Sequence, residues 1–344
     1  MGNKILVTGG CGYIGSHTLV DLIDNGFEVI SIDNLSNSSA SILDNVARIT
    51  GQRVQNYAVD LVDLPAVQRV FEEHSDLVGV IHFAAFKAVG ESVEQPLRYF
   101  NNNLNSLLNV LTCMKEFGVK HLIFSSSCSV YGNTNALPVQ EDTPLQEAES
   151  PYARTKQMGE QISVDFCRTH SDFNIILLRY FNPAGAHESG KMGEAPTTNV
   201  SNLVPVIMQT AMGKRKEVVV FGDDYATRDG SCIRDYIHVQ DLANAHTRSL
   251  TYLIANKQAH NCEVFNVGIG EGVTVLEAIR AFEKVSGQAL NYRIGDRRDG
   301  DVVAIYADYS KAAQQLGWQP QRKIEDIMKT AWEWENVRYA KMVN

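Results

Sequence analysis

Tyr152-Ala-Arg-Thr-Lys156 sets a phenol and an amine four residues apart. On a helix that spacing puts both on one face. Pro151 stands just before them, where a helix start tolerates proline. A phenol is a poor base at neutral pH because its ordinary pKa is about 10. A neighbouring ammonium would favour the phenolate, and so would a nicotinamide cation. Each unit of depression is worth about 1.4 kcal/mol. Ser127, upstream at the end of an apolar run, can hydrogen-bond a hydroxyl undergoing oxidation. The bland alternative is a surface Tyr and Lys on an amphipathic helix.

A hydride acceptor would be held at the other end of the chain. Residues 4–15 read Lys-Ile-Leu-Val-Thr-Gly-Gly-Cys-Gly-Tyr-Ile-Gly. Ile5-Leu6-Val7 is a short buried strand by its composition, and a helical pattern follows over 16–25. Gly9 permits the turn, Gly12 lets backbone N–H groups approach a pyrophosphate, and Gly15 lets helix and strand pack closely. The helix N-terminus offers its partial positive charge to the anion. A second strand over 29–32 ends in Asp33, about twenty residues on, where the ribose hydroxyls of NAD need an acceptor. A 2′-phosphate would be repelled there, which favours NAD over NADP.

These residues need a scaffold, and the pattern supplies one. Strands are predicted over 54–59, 79–83, 121–124 and 174–179, and helices over 65–73, 103–117 and 152–169. Leu104, Leu107, Leu108, Leu111 and Met114 form the apolar stripe of the second of these helices. Alternation of this kind means a doubly wound parallel α/β sheet of Rossmann type. Gly9, Asp33, Asp60, Phe83 and Ser127 fall at or past strand ends, so they should ring one crevice. Beyond residue 182 the alternation stops. We expect residues 1–182 to form the NAD-binding domain, with a segment near 235–258 returning to it, and residues 183–344 to form a smaller domain. Thr274-x-x-Glu277 is a capping box opening a helix.

Composition narrows the class. A net charge of −9 argues against nucleic acid and anionic membranes as partners. Hydrophobic content of 44% and charged content of 21% are those of a globular protein. No apolar run approaches a membrane span, and the N-terminus enters a strand with no leader pattern. The six cysteines make no C-x-x-C pair, so neither a metal site nor a disulfide framework is indicated. Reduced thiols in the cytoplasm are the plain reading.

The chain resembles the UDP-galactose 4-epimerases, extended members of the short-chain dehydrogenase/reductase family. The likeness runs nearly end to end. It is carried by Val-Thr-Gly-Gly-Cys-Gly-Tyr-Ile-Gly-Ser-His-Thr (7–18), Ile-Asp-Asn-Leu-Ser-Asn-Ser (32–38) and His-Phe-Ala-Ala-Phe-Lys-Ala-Val-Gly-Glu-Ser (82–92). It continues in Phe-Ser-Ser-Ser (124–127), Ser-Pro-Tyr (150–152) with Lys156, Leu-Arg-Tyr-Phe-Asn-Pro-Ala-Gly-Ala-His (178–187), Arg-Asp-Tyr-Ile-His-Val (234–239) and Arg-Arg-Asp-Gly-Asp (297–301).

The resemblance implies that Tyr13 and Ile14 of the glycine loop, Asp33 with Asn34, Asn37 and Ser38, Asp60 and Leu61 hold NAD. Phe83, Ala84, Ala85, Lys87, Asn102 and Phe181 would complete that site, with Ser127, Tyr152 and Lys156 at the nicotinamide end. It places the UDP-sugar on Lys87, Ser127, Tyr152, Asn182, Asn202 and Leu203. Val219, Val220, Phe221, Arg234 and the 298–301 segment, with Arg298 and Asp301 at its ends, would hold the nucleotide, and Ile305 would wall the sugar. Arginine forks suit a diphosphate bound by an acidic chain.

The implied reaction inverts C4 of UDP-glucose or UDP-galactose. Tyr152 takes the 4-hydroxyl proton, a tethered 4-keto sugar rotates, and the hydride returns to its other face. Turnover of the N-acetyl sugars is expected to be slower, since Ile305 is intermediate between a tyrosine and a small residue. The resemblance also implies a homodimer through the 103–117 and 152–169 helices. Two rivals share the motifs. Sugar-nucleotide 4,6-dehydratases place an Asp-Glu pair where this chain has Cys128-Ser129, and a non-catalytic NAD-binding regulator would lose Tyr152 or Lys156.

Overall fold

The computed structural model describes residues 2–195, 200–298 and 301–343. The first half alternates as expected: β1 Lys4–Thr8, α1 Tyr13–Asp24, β2 Glu28–Ile32, α2 Ile42–Thr50, β3 Gln55–Tyr57, α3 Leu64–Glu73 and β4 Leu77–His82. There follow α4 Val89–Glu94, α5 Pro96–Phe117, β5 His121–Ser127, α6 Pro151–Thr169, β6 Asn174–Tyr180 and β7 Asn182–Ala184. The second half holds α7 Leu203–Ala211, β8 Val218–Phe221, β9 Ile233–Arg234, β10 Tyr236–His238, α8 Val239–Ile254, β11 Cys262–Val267, β12 Val273–Thr274, α9 Val275–Ser286, β13 Tyr292–Gly295, β14 Ala304–Ile305 and α10 Ile324–Val343.

Among the described residues, seven parallel strands form the main sheet in the order β11-β6-β5-β4-β1-β2-β3. Strand order reverses at β1 and β4, and a crevice at the carboxyl ends of such a pair is where α/β sheets bind ligands. Alternate residues of β1 feed opposite faces. Ile5 and Val7 join a core with Leu19 and Ile23 of α1 and Leu242 and Leu250 of α8. Leu6 joins the other core, with Phe71 of α3, Leu107 and Leu111 of α5 and Cys167 of α6. Helices on both faces bury both sides of every central strand, which is why these strands read as unbroken apolar runs.

The structure departs from the sequence reading at four points. Helix α1 starts at Tyr13, because the glycine turn itself forms its N-terminus. Helix α5 starts at Pro96, seven residues early, and its Asn-rich first turns hid it. Its stripe is also split: Leu107, Leu111 and Met114 are buried, whereas Leu108 is 44% exposed. Strand β11, beyond the 235–258 segment, extends the main sheet beside β6.

The second lobe has its own core, built from Ile207 of α7, Val218 and Val220 of β8, Phe282 of α9 and Ile327 of α10. Thr274 caps α9 through the Glu277 N–H while Glu277 returns to the Thr274 N–H. One buried carboxylate joins the lobes. Asp235 accepts backbone N–H bonds from Ile269 at 2.8 Å, Gly270 at 3.1 Å and Ala307 at 3.1 Å. Burial pushes its carboxyl up to about 6 although those three donors favour the charged form.

Candidate active site

The glycine turn is shaped by contacts that a side chain would destroy. Gly9 has φ +72°, and a Cβ there would stand 2.9 Å from the Ala84 nitrogen. A Cβ on Gly15 would stand 2.1 Å from the Gly9 carbonyl oxygen. At Gly12 the nearest atom would be that same oxygen at 3.1 Å, so the loop's outer side is open. No side chain caps the α1 N-terminus. Its first N–H groups are therefore left for an anion. At the end of β2, Asp33 accepts the Cys11 N–H at 3.0 Å on Oδ2, and the Leu35 N–H and the Ser38 hydroxyl on Oδ1. Oδ2 keeps capacity for a ribose hydroxyl. Leu35 is held at φ 60° by this arrangement. Open turn, uncapped helix and acceptor together fit a dinucleotide.

The other predicted cofactor residues are held by contacts of their own. The Asn34 amide donates to Asp60 at 3.2 Å, and Leu61 is buried behind it. The Ala84 N–H reaches Thr8 Oγ1 at 3.4 Å, and the Phe83 ring lies 4.6 Å from that of His246. Ala85 is half-buried next to them. The Tyr13 hydroxyl donates to the Gly185 carbonyl at 2.6 Å, tying the loop to the second lobe, and Ile14 packs on the core beneath. Asn102 donates to Asn103 at 3.0 Å, and Phe181 is buried past the end of β6. Lys87 stands 3.8 Å from Glu194.

Ser127 ends β5, and Tyr152 and Lys156 share the first turns of α6, which Ser150 caps through the Ala153 N–H at 3.2 Å. Ser127 Oγ accepts from the Ser129 N–H at 3.2 Å and the Ser129 hydroxyl at 3.0 Å. Its nearness to Tyr152 favours the phenolate. Burial outweighs that influence and pushes the Tyr152 phenol up to about 12. The Lys156 ammonium faces the phenol at a distance, with its Nζ 6.0 Å from the Tyr152 ring centre, and donates to the Ser125 carbonyl at 2.6 Å. Burial lowers Lys156 to about 8. Without a bound cation, therefore, Tyr152 is a neutral phenol.

Of the residues predicted to hold the sugar nucleotide, Arg234 and Arg298 converge on Asp301, at 3.2 Å and 2.7 Å. Asp299 and Gly300 of the predicted 298–301 segment lie outside the described residues. Arg298 also covers the Phe221 ring at 5.3 Å. Val219 and Phe221 are accessible, whereas Val220 is buried in the second lobe's core and cannot reach a ligand with its side chain. Asn182 pairs with Tyr236 between β7 and β10, and Asn202 stands exposed at the N-terminus of α7 with Leu203 following. Ile305 pairs with Arg234 between β14 and β9 and packs with Phe181 and Cys128.

Sequence reasoning missed two neighbours of the reacting group. Tyr180 is pushed upward first by burial and then by the nearby Tyr152, with Ser125 opposing the shift. His82 is buried against Thr8 at 2.8 Å and is lowered to about 3 by burial and the Lys156 charge. Both stand in the quoted motifs, but neither spacing announces a contact. No cluster of three or more His, Cys, Asp or Glu able to hold a metal occurs among the described residues.

A dinucleotide turn facing a Ser–Tyr–Lys group across a doubly wound sheet is the architecture of an extended short-chain dehydrogenase/reductase. Comparison with known proteins refines that class. The family described as GDP-mannose 4,6 dehydratase matches residues 6–331. A UDP-glucose 4-epimerase of Bacillus subtilis (strain 168) is 47% identical over 332 residues, 96% of each chain. The crystal structure of a UDP-glucose 4-epimerase from Stenotrophomonas maltophila, with bound NAD and formylated UDP-arabinopyranose, has a TM-score of 0.95 at 43% identity, covering 98% of this chain and 99% of that one. One from Bifidobacterium longum, in complex with NAD+ and UDP, has a TM-score of 0.93 at 45% identity, with the same coverage. The chain belongs to that broad family and, within it, to the UDP-glucose 4-epimerases.

Proposed function

We propose that this protein is an NAD-dependent 4-epimerase interconverting UDP-glucose and UDP-galactose. The observation that carries the reading is Ser127 at the end of β5 beside the first turns of α6, which carry Tyr152 and Lys156, on the sheet that bears the glycine turn. When bound, NAD supplies the hydride acceptor for C4 and a positive charge beside the phenol. Gly9, Gly12, Gly15 and Asp33 would hold it, with the other cofactor residues named above around them.

Tyr152 then acts as the base for the 4-hydroxyl proton. Ser127 donates to the phenol oxygen and steadies the charge it acquires. Lys156 stays fixed on the Ser125 carbonyl. Arg234 and Arg298 anchor the UDP diphosphate. An anchored UDP supplies proximity while leaving the sugar free to present either face. Once the 4-keto sugar has turned over on this tether, the hydride returns to the other face of C4, and Tyr152 gives its proton back to O4, so that the configuration is inverted.

Cys128 and Ser129 oppose the dehydratase reading. Elimination needs an acid and a base over C5 and C6. Burial pushes the Cys128 thiol up to about 12, and Ser129 is a neutral hydroxyl bonded to Ser127. The regulator reading is opposed by the retained Tyr152 and Lys156.

Division of labour follows the two lobes: residues 1–182 with the returning 235–267 stretch hold NAD, and the rest holds the UDP-sugar. A homodimer through α5 and α6 is supported by apolar side chains left outward, with Leu97 80%, Leu108 44% and Met158 39% exposed. No helix among the described residues is long and apolar enough to cross a membrane. Six free cysteines suit the reducing cytoplasm.

The test is a product profile. Incubation of the purified protein with UDP-galactose yields UDP-glucose at equilibrium. A 6-deoxy-4-keto sugar, or no product, overturns the reading.

A further inference from the structure

Beneath the catalytic face of α6 lies a buried ion pair that the reaction as described does not use. Glu160 stands four residues past Lys156, on the same helix face. It is 5% exposed, as is its partner Arg179 on β6. The pair is bidentate: Arg179 Nε donates to Oε1 at 2.9 Å and Nη2 to Oε2 at 2.7 Å. Glu160 Oε1 also accepts the Ser126 hydroxyl at 2.5 Å, one residue before Ser127. The carboxylate therefore grips the strand end that carries Ser127 and the strand that leads into Tyr180.

We propose that Glu160 is a positioning residue for the epimerase reaction, locking the end of β5 onto α6 and supplying the counter-charge that keeps the buried Lys156 an ammonium. The proposal rests on the epimerase reading above. A buried ion pair is weak evidence of stabilisation, since apolar replacements of like volume often match it. This pair joins the two elements that carry Ser127, Tyr152 and Lys156, which gives it a reason to persist as charges.

The charges facing Lys156 are few. From α6 come Tyr152 and Glu160, and from β4 comes His82, which is lowered to about 3 and so carries no charge at working pH. On β5, the Ser125 carbonyl and the Phe124 ring, 5.1 Å away, accept the ammonium. Arg179 on β6 is engaged by Glu160, and Cys262 on β11 feels the same carboxylate. Glu160 is the one residue among these whose charge raises Lys156 against the pull of burial.

The sign follows. Removing the Glu160 charge lets burial lower Lys156 further, so the ammonium is lost at lower pH. In Glu160→Gln the alkaline limb of the kcat profile moves acidward by about one pH unit, and above that limb kcat falls about tenfold below wild type. KM for UDP-galactose changes little, because UDP is held in the other lobe. Arg179→Met breaks the same pair but leaves the carboxylate, and its limb holds or moves to higher pH. The double variant Glu160→Gln/Arg179→Met removes both charges and covers the case where Glu160→Gln does not fold; its limb also moves acidward. A second readout needs no turnover: the Lys156 15Nζ resonance in lysine-labelled full-length protein, assigned by its loss in Lys156→Met, titrates at lower pH in Glu160→Gln. An unmoved limb and an unmoved resonance in the folded variants overturn the proposal, and so does an equal shift in Glu160→Gln and Arg179→Met. Failure of the wild type to turn over UDP-galactose overturns the epimerase reading instead, and leaves the resonance test standing.

Discussion

Gly15→Ala isolates the glycine turn from everything else in the site. The added Cβ would lie 2.1 Å from the Gly9 oxygen, 2.9 Å from the Gly9 carbonyl carbon and 2.9 Å from Gly10 Cα. All three are backbone atoms, so no side chain can swing away. Gly9 is itself pinned, donating to the Ile32 carbonyl at 2.7 Å and accepting the Gly12 N–H at 3.0 Å. Relief requires opening the turn between β1 and α1. Overpacking of this kind costs about 1–3 kcal/mol. For a chain of this length that is a fall in Tm of about 2 °C per kcal/mol. The same displacement misdirects the N–H groups at the start of α1, and losing one good hydrogen bond, about 1.4 kcal/mol, weakens binding tenfold. The assay is NAD released per mole of protein after heat denaturation, read beside a melting curve. Gly90→Ala in α4 is the matched control, because nothing lies within 4 Å of a Cβ there. It should melt at or slightly above wild type, as Gly→Ala in a helix gains about 0.5–1 kcal/mol. A Gly15→Ala protein with a full NAD complement and a Tm equal to that of Gly90→Ala refutes the reasoning.

Three further outcomes follow from the same geometry. Tyr152→Phe lowers kcat by about 10²–10⁴, the usual share of a general base, while leaving UDP binding intact by calorimetry; near-normal turnover removes Tyr152 from its role. Ile305, only 5% exposed beside Phe181 and Cys128, should act as the wall of the sugar pocket; Ile305→Tyr selectively suppresses the N-acetyl sugars and Ile305→Cys raises them, by about 10- to 200-fold in kcat/KM, and equal effects on all four UDP-sugars would show that the gate is elsewhere. Leu97→Glu with Leu108→Glu places charges on the exposed face of α5 and shifts light scattering from dimer to a 38 kDa species; an unchanged mass, or a monomeric wild type, rules that face out.

What the sequence disclosed was local. The glycine spacing and Asp33 are one continuous strand–turn–helix–strand unit, and Tyr152 and Lys156 are one helical turn apart, so both groups are legible from spacing. Ser127 needed only the end of a strand. What stayed hidden is tertiary. The Asn103 side chain, mid-helix, looks like a poor helix former, yet it bonds both the Phe86 N–H at 2.8 Å and its carbonyl at 3.0 Å. Strand β11 carries Glu263 as its second residue, a charge that a sheet interior does not announce; in the fold that carboxylate is buried on the Ala259 and His260 N–H groups. Asp235 collects donors from two separate segments downstream, a role that no spacing reveals. Burial stayed hidden too: it acts on both Tyr152 and Lys156 and drives each toward its neutral form, which no spacing reveals.

The central claim is that one hydrogen leaves C4 and returns to it on the other face, with the sugar tethered throughout. UDP-galactose deuterated at C4 tests this directly. Incubated with the protein in ordinary water and without added NAD, it should give UDP-glucose that keeps the deuterium at C4, as read by mass spectrometry and proton NMR of the product. UDP-glucose carrying solvent hydrogen at C4, or a requirement for added NAD in stoichiometric amount, contradicts the account.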